Sequence, residues 1–317
     1  MSLNRIAFVL PGQGSQYVGM GQDLATRYAS AAALYEEAND ILGYDLRHIC
    51  WEGSEEELTR TQNAQPAILL HSYAVWRCLP DSVRSRATVA AGHSLGEFSA
   101  YLAAGTLRFD DALRLVRRRG ELMGRAGSAR SGTMAAIIGL DAEAVLRVCA
   151  DEWSGTVVPA NYNAPGQIVI SGDVAAVDAA RERALEAGAR RAIPLNVSGA
   201  FHSPLMAEAR KGLADALADV DLRAPRFPVV ANASASLVTE ASDARDLLIE
   251  QLTSPVRWVE CVQTMHAENP ALWLEIGPGQ VLSGLMRRIG RDQEIRAIGG
   301  PEDLDNLDEI LEEDEGA

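Results

Sequence analysis

The segment Gly92-His93-Ser94-Leu95-Gly96 has the residue types and spacing of a nucleophile elbow. The apolar, β-compatible run Thr88–Ala91 precedes it, and a helix-like segment opens at Glu97. A strand that passes through a tight turn into a helix lifts the serine hydroxyl to the tip of the turn. The glycines leave room for the chain to double back. The N-terminus of the following helix aims backbone N–H groups at a developing oxyanion. The plain alternative is a Gly-Ser turn; the strand before it and the helix after it favour the elbow.

A serine at its free pKa is a weak nucleophile and needs a base. Five histidines are available. His93 adjoins Ser94, but an elbow sends neighbouring side chains in different directions, so it reads as structural or site-lining. His48, His71 and His266 fall in helix-like segments, where packing or surface roles are expected. His202 lies in the loop Asn196–Pro204, downstream of the serine as in hydrolase topologies. It is the candidate base, with a capping or packing histidine as the alternative. No acid presents itself as a third member. Either a backbone or amide oxygen orients the imidazole, or the acid escapes the pattern.

In Arg117-Arg118-Arg119, helical spacing separates the three side chains. Arg119 has Leu115, Val116, Leu122 and Met123 three and four residues away, all apolar. Arg117 and Arg118 each have Arg114 and Glu121 among those neighbours. Arg119 alone therefore points onto an apolar stripe, where an unpaired charge is costly. Its partner is an internal carboxylate, for example Glu97, or the carboxylate of a substrate held bidentately.

These residues need a scaffold. Arg5–Leu10 reads as a buried strand, followed by the loop Gly12-Gln13-Gly14-Ser15-Gln16, which lacks the P-loop and dinucleotide patterns. That loop is either a plain turn or a set of N–H groups facing a site at the strand ends. Helices are expected over 23–42, from Ser54 in a short capping-box helix, from Gln65-Pro66 through Cys78, over 97–104 and over 110–123. Residues 132–195 read β-α-β-β-α-β, the ferredoxin-like order. Helices at 204–218, 244–252, 254–266 and 280–289 and strands at 227–231 and 271–276 follow. The alternation indicates a largely parallel sheet interrupted by an insertion. This is an α/β class, divided as 1–131 with 197–300, the insertion 132–196, and an acidic tail 301–317.

The 317 residues are 47% apolar, and no apolar run approaches the ~20 residues of a membrane span. Net charge is −15, but nine acidic residues lie between Glu302 and Glu315, leaving about −6 for the body. The tail is expected to be solvated or frayed, and the acidic body argues against nucleic-acid binding. Cys50, Cys78, Cys149 and Cys261 are scattered and form no metal-ligand cluster, as expected of reduced thiols in a cytoplasmic protein without a leader segment.

Seven ordered motifs resemble the malonyl-CoA:acyl carrier protein transacylases: Pro11-Gly-Gln-Gly-Ser-Gln16, Gln65-Pro66-Ala67, Gly92-His-Ser-Leu-Gly-Glu97, Arg119-Gly120, Gly199-Ala-Phe-His202-Ser203, Ser254-Pro255-Val256 with Trp258, and Glu275-Ile-Gly-Pro-Gly279. The resemblance runs from about residue 5 to 290. It implies an α/β-hydrolase-like large domain with an inserted ferredoxin-like subdomain. It implies Ser94 as the acylated nucleophile, His202 as its base and then acid, and a backbone carbonyl at Gln251 orienting the histidine. Backbone N–H groups of Gln13 and Leu95 would form the oxyanion hole, and Arg119 would bind the malonyl carboxylate. Asn161 would line the cleft between subdomains. Phe201, before the histidine, resembles the pattern that selects malonyl over methylmalonyl in related polyketide acyltransferases.

The resemblance further implies a ping-pong transfer from malonyl-CoA, with no bound cofactor and no metal, to the phosphopantetheine thiol of an acyl carrier protein. The expected form is a monomer bound to neither membrane nor nucleic acid, acting as a discrete enzyme in trans on a polyketide synthase. Housekeeping fatty-acid synthesis is the alternative, and an acyl-carrier-protein hydrolase a more distant one, because a hydrolase of neutral acyl chains has no use for a buried cation. Arg287-Arg288 and Arg223 with Arg226 are candidate carrier-docking cations, or ordinary solvated arginines.

Overall fold

The computed structural model describes residues 5–197, 199–290 and 295–307. Its strands are β1 (Ile6–Leu10), β2 (Ala87–Gly92), β3 (Gly132–Ile138), β4 (Val157–Ala164), β5 (Gln167–Asp173), β6 (Arg191–Pro194), β7 (Val229–Val230), β8 (Leu237–Val238), β9 (Leu272–Ile276) and β10 (Ile295–Ile298). One sheet has the order β10-β9-β1-β2-β7-β8. Its pairings are parallel except the short β7–β8 edge. Strands β1 and β9 are buried along their whole length, as a sheet covered on both faces by crossover helices requires.

The second sheet, β4-β5-β3-β6, is antiparallel throughout. Counted within residues 132–194, its strands lie in the order second, third, first, fourth, the split-βαβ arrangement of a ferredoxin-like unit. It carries its own apolar core, including Ile137, Val145, Ile170 and Val177. It meets the rest of the molecule along β4, where Val256 N–H donates to Ala160 O at 2.8 Å and Tyr162 N–H to Val256 O at 2.9 Å.

The parallel order sets the position of the site. The adjacent strands β1, β2 and β7 end, at the same edge of the sheet, in Pro11-Gly12-Gln13, His93-Ser94 and Ala231-Asn232. The carboxyl ends of such strands are where α/β proteins place ligands.

Several elements differ from the sequence expectation. The helix expected over 23–42 is two, Gln22–Arg27 and Ala29–Leu42, separated by extended backbone at Tyr28. The helix expected to open at Gln65-Pro66 starts at Thr61, so Pro66 stands inside Thr61–Cys78. A proline there removes the N–H that would bond the carbonyl four residues earlier. That carbonyl, of Gln62, accepts instead from Arg117 Nη1 at 3.1 Å. The helices expected over 97–104 and 110–123 are Leu95–Ala103 and Phe109–Ala129. Ser254-Pro255 does not open a helix; the next one starts at Trp258, because Val256 is spent on the bridge to β4.

The expectation of a solvated tail fails at its start. Residues 301–307 are helical, Leu304 and Leu307 are buried in the main core, and Asp305 pairs with Arg27 at 2.7 Å. Their acidic composition conceals an amphipathic turn. The rest of the tail, 308–317, lies outside the described residues.

Candidate active site

The turn after β2 is built by close approach. A Cβ on Gly92 would overlap the carbonyl of Gly96, and a Cβ on Gly96 would overlap the carbonyl oxygen of Leu10 on the neighbouring strand. Only glycine fits either place. Between them Ser94 holds φ 54°, ψ −105°, and His202 holds φ 56°. Left-handed backbone at a residue with a side chain stores about 1–3 kcal/mol at each position, sustained only where the surroundings over-determine it.

The surroundings do so. Ser94 N–H donates to Asn232 Oδ1 at 2.7 Å, and Asn232 Nδ2 donates to Gly92 O at 2.7 Å, so one amide spans the turn. Ser94 O accepts from Gln251 Nε2 at 2.9 Å. Gly96 and Glu97 N–H close back on His93 O and Ser94 O. Leu95 N–H, the first of its helix, has no acceptor among the described residues. The same is true of Gln13 N–H in the loop after β1, where the neighbouring Gly14 and Ser15 amides bond Gln16 Oε1 and Gly12 O.

Ser94 Oγ lies 2.8 Å from His202 Nε2, and His202 Nδ1 lies 3.0 Å from Gln251 O. A carbonyl only accepts, so Nδ1 carries the proton and Nε2 accepts from the serine hydroxyl; the tautomer follows from the network. His202 is 4% exposed. Burial, and next the charge of Arg119, push its pKa down to about 3, so the imidazole is neutral.

Arg119 reaches the same oxygen: Nη2 is 3.1 Å from Ser94 Oγ. The guanidinium is 1% exposed and lies over the Phe98 ring, its Cζ 5.6 Å from the centroid. Nη1 donates to Gln65 Oε1 and Nη2 to Gln251 Oε1, both at 2.8 Å, and Nε has no acceptor among the described residues. Glu97 does not touch Arg119. It stands behind Gln251, whose Nε2 donates to Glu97 Oε2 at 2.7 Å. Burial lowers Arg119 to about 10 and raises Glu97 to about 7.

Ser94, His202, Arg119 and Gln251 thus come together, with the free amides of Gln13 and Leu95 on the strand ends beside them. Phe201 is 6% exposed, its ring packed beside Gly199. Asn161 is 5% exposed on β4, opposite Val256, at the seam between the sheets. His93 points away from the serine: Nε2 is 2.8 Å from Asn163 Oδ1 on β4, and burial lowers its pKa. The other histidines are engaged elsewhere. His48 is exposed beside Glu52, and His71 is buried 3.2 Å from Tyr35 OH and held neutral by burial, at about 4. Sequence reasoning gave no role to Gln65, Asn163 or Asn232. Gln65 carried only its place directly before the apolar run Pro66–Leu70, and Asn232 only its place directly after a short strand.

A cavity of about 1180 Å³ opens beside Gln13, between the start of the Pro66 helix (Thr61, Gln62), the Arg119 helix (Gly120, Gly124) and Asn196-Val197. Among the described residues no cluster of three or more His, Cys, Asp or Glu could hold a metal, no helix is long and apolar enough to cross a membrane, and the four cysteines are free.

A serine on a strand–turn–helix elbow, a neutral histidine and a buried arginine on a two-sheet α/β scaffold define an acyltransferase. Residues 7–299 match the acyl transferase domain. Malonyl CoA-acyl carrier protein transacylase of Bacillus subtilis is 46% identical over 314 residues, 98% of this chain and 99% of that protein. The crystal structure of an acyl carrier protein S-malonyltransferase from Vibrio cholerae superposes with a TM-score of 0.90 at 44% identity, covering 96% of this chain and 99% of that one. A malonyl-transacylase in complex with a type II polyketide-synthase acyl-carrier protein superposes with a TM-score of 0.92 at 42% identity, covering 96% and 99%. The chain belongs to this family, the malonyl CoA-acyl carrier protein transacylases of the acyl transferase domain.

Proposed function

We propose that the chain moves a malonyl group from malonyl-CoA to the phosphopantetheine thiol of an acyl carrier protein through a malonyl ester of Ser94. The observation that carries the reading is Arg119: a buried cation 3.1 Å from Ser94 Oγ, held by neutral amide oxygens and with Nε unspent. A neutral acyl chain leaves that donor unpaired; a carboxylate satisfies it bidentately.

In the first half-reaction Ser94 Oγ attacks the thioester carbonyl while His202 Nε2 takes its proton. The oxyanion is received by the N–H groups of Leu95 and Gln13, each donor of this kind contributing about 10²–10³ in rate. His202 then returns the proton to the leaving CoA sulfur. In the second half the carrier thiol gives its proton to His202 and attacks the ester, and Ser94 is regenerated. Gln251 O holds the imidazole in the required tautomer, the part an acid plays in a triad. Phe201 occupies the space an α-methyl group would need, and Asn161 lines the cleft between the sheets. Substrate, carrier protein and these side chains suffice for the cycle, with no further cofactor.

The test is intact-mass measurement after mixing with malonyl-, acetyl- and methylmalonyl-CoA. A malonyl adduct that disappears in Ser94→Ala supports the reading; equal labelling by acetyl-CoA sinks the role of Arg119. The complex of a related malonyl-transacylase with a polyketide carrier protein supports a carrier protein as the acceptor, and we infer that this chain serves a polyketide synthase in trans. The fatty-acid reading differs from it only in the acceptor. Transfer rates to purified carrier proteins of both kinds decide between them, and chromatographic mass tests the expected monomer.

A further inference from the structure

Glu97 has no part in that cycle, yet it is fully buried under the turn. Its Oε2 accepts from Gln251 Nε2 at 2.7 Å and from Asn232 N–H at 3.0 Å, while Oε1 has no partner among the described residues. Asn232 and Gln251 grip Ser94 from its N–H and its carbonyl, so one carboxylate oxygen anchors both sides of the nucleophile turn. With Gln251 Nε2 committed to two acceptors, Gln251 Oε1 must face Arg119. Glu97 and Arg119 therefore stand at opposite ends of one amide as a buried ion pair that never touches. Because Oε2 already receives two N–H donors, a proton on Glu97 must sit on Oε1, and the scaffold bonds survive in either charge state.

The titratable groups that face Glu97 are Arg119 from the Phe109–Ala129 helix, Tyr101 from its own helix and Cys261 from the Trp258–Ala267 helix, with His202 reached through Gln251. Burial keeps Tyr101 and Cys261 protonated and His202 neutral, which leaves Arg119 as the one charge acting on Glu97 among them.

We infer that Glu97 is the counter-charge that a substrate carboxylate replaces at Arg119, and that Glu97 takes up a proton on Oε1 as the carboxylated acyl group is seated. This rests on the malonyl reading above. Two anions around one desolvated guanidinium raise each other's proton affinity, and the one with an unpartnered oxygen and no solvent yields first. The proton comes from a buffer acid, an O–H bond forms on Oε1, and nothing is oxidised or reduced. Acylation itself is proton-neutral, since the Ser94 hydroxyl proton ends on the CoA thiol, so the uptake stands out. Burial has already brought Glu97 to about 7, close to the point where a second anion tips it.

The experiment acylates the whole enzyme with malonyl-CoA in weakly buffered solution containing a pH indicator and counts malonyl-enzyme by intact mass. The expected result is uptake of a large fraction of a proton per adduct at about pH 8, shrinking toward none at about pH 5.5, where Glu97 is already protonated. Glu97→Gln keeps an amide oxygen as acceptor and is expected to acylate with no uptake at either pH. Adduct formed by the wild type without uptake at the higher pH, or equal uptake by Glu97→Gln, overturns the inference. Should Glu97→Gln not fold, the wild type decides alone: uptake that is the same at both pH values overturns it. Absence of any adduct instead sinks the malonyl reading, and this inference with it.

Discussion

Arg119 and His202 converge on one atom: Nη2 of the arginine is 3.1 Å and Nε2 of the histidine 2.8 Å from Ser94 Oγ. On the proposed reading, the cation that selects the acyl group also acts on the base. With the site empty, Arg119 helps hold His202 neutral and a poor proton acceptor. On that reading, a carboxylate seated on Arg119 offsets that charge at His202, so the correct substrate strengthens the base that activates Ser94.

Replacing Arg119 by Ala is expected to lower kcat/KM for malonyl-CoA by about 10²–10³, the scale of a buried charge pair losing one partner. Acetyl-CoA, which has no carboxylate to lose, should be used as well as before or better. Parallel steady-state kinetics with both thioesters check this. An equal fall for both would mean that Arg119 supports the turn and does not select the acyl group.

The acid limb of kcat/KM is set by the free enzyme, in which His202 sits at about 3, first through burial and then through Arg119. Activity is expected to persist well below the ordinary titration range of histidine, and in Arg119→Ala the limb should move to higher pH. A pH–rate profile of both forms measures it. A limb near the ordinary histidine value in both proteins would contradict the burial argument.

Stability carries the same signature. His202 at about 3 and His71 at about 4 lie below their unfolded value of 6.5. Below that value the unfolded chain binds protons that the folded one refuses. Their contribution is therefore full above the unfolded pKa and is lost as pH falls from 6.5 toward 4 and 3. Glu97, raised from 4.5 to about 7, acts oppositely, binding its proton in the folded state across that interval. Urea midpoints measured against pH should fall on acidification, and in Glu97→Gln the fall should be steeper, because the opposing group is gone.

Asn232→Asp separates acceptor from donor. The carboxylate still accepts from Ser94 N–H but cannot donate to Gly92 O, and it adds an anion beside Glu97. An unsatisfied buried acceptor costs about 1–3 kcal/mol. Asn232→Asp is expected to lose at least that much stability, and to lose kcat with little change in KM, because the serine is misplaced while the acyl pocket remains. Denaturation and kinetics on the one variant test both halves.

The sequence by itself determined the features whose cause is local. Gly92-x-Ser94-x-Gly96 after an apolar run specified the elbow, since the glycines are required by an approach within a few residues of chain and by the strand next door. Helical spacing alone put Arg119 on an apolar stripe, and the β-α-β-β-α-β rhythm of residues 132–195 gave the second sheet. Where the cause was distant the sequence was silent or misleading. Pro66 reads as a helix start, but Arg117, 55 residues after Gln62, supplies the Gln62 carbonyl with the bond the proline removes. Residues 301–307 read as solvated charge, but the core reaches Leu304 and Leu307. Only the tertiary structure decided what fixes the serine: Asn232 and Gln251 are 138 and 157 residues from Ser94 in the chain. It also decided that a neutral histidine, an unspent guanidinium N–H and a buried carboxylate meet around that turn. Parallel strands are joined by long crossovers, so the groups that meet at their carboxyl ends come from remote segments, and charge state follows from burial that no local pattern encodes.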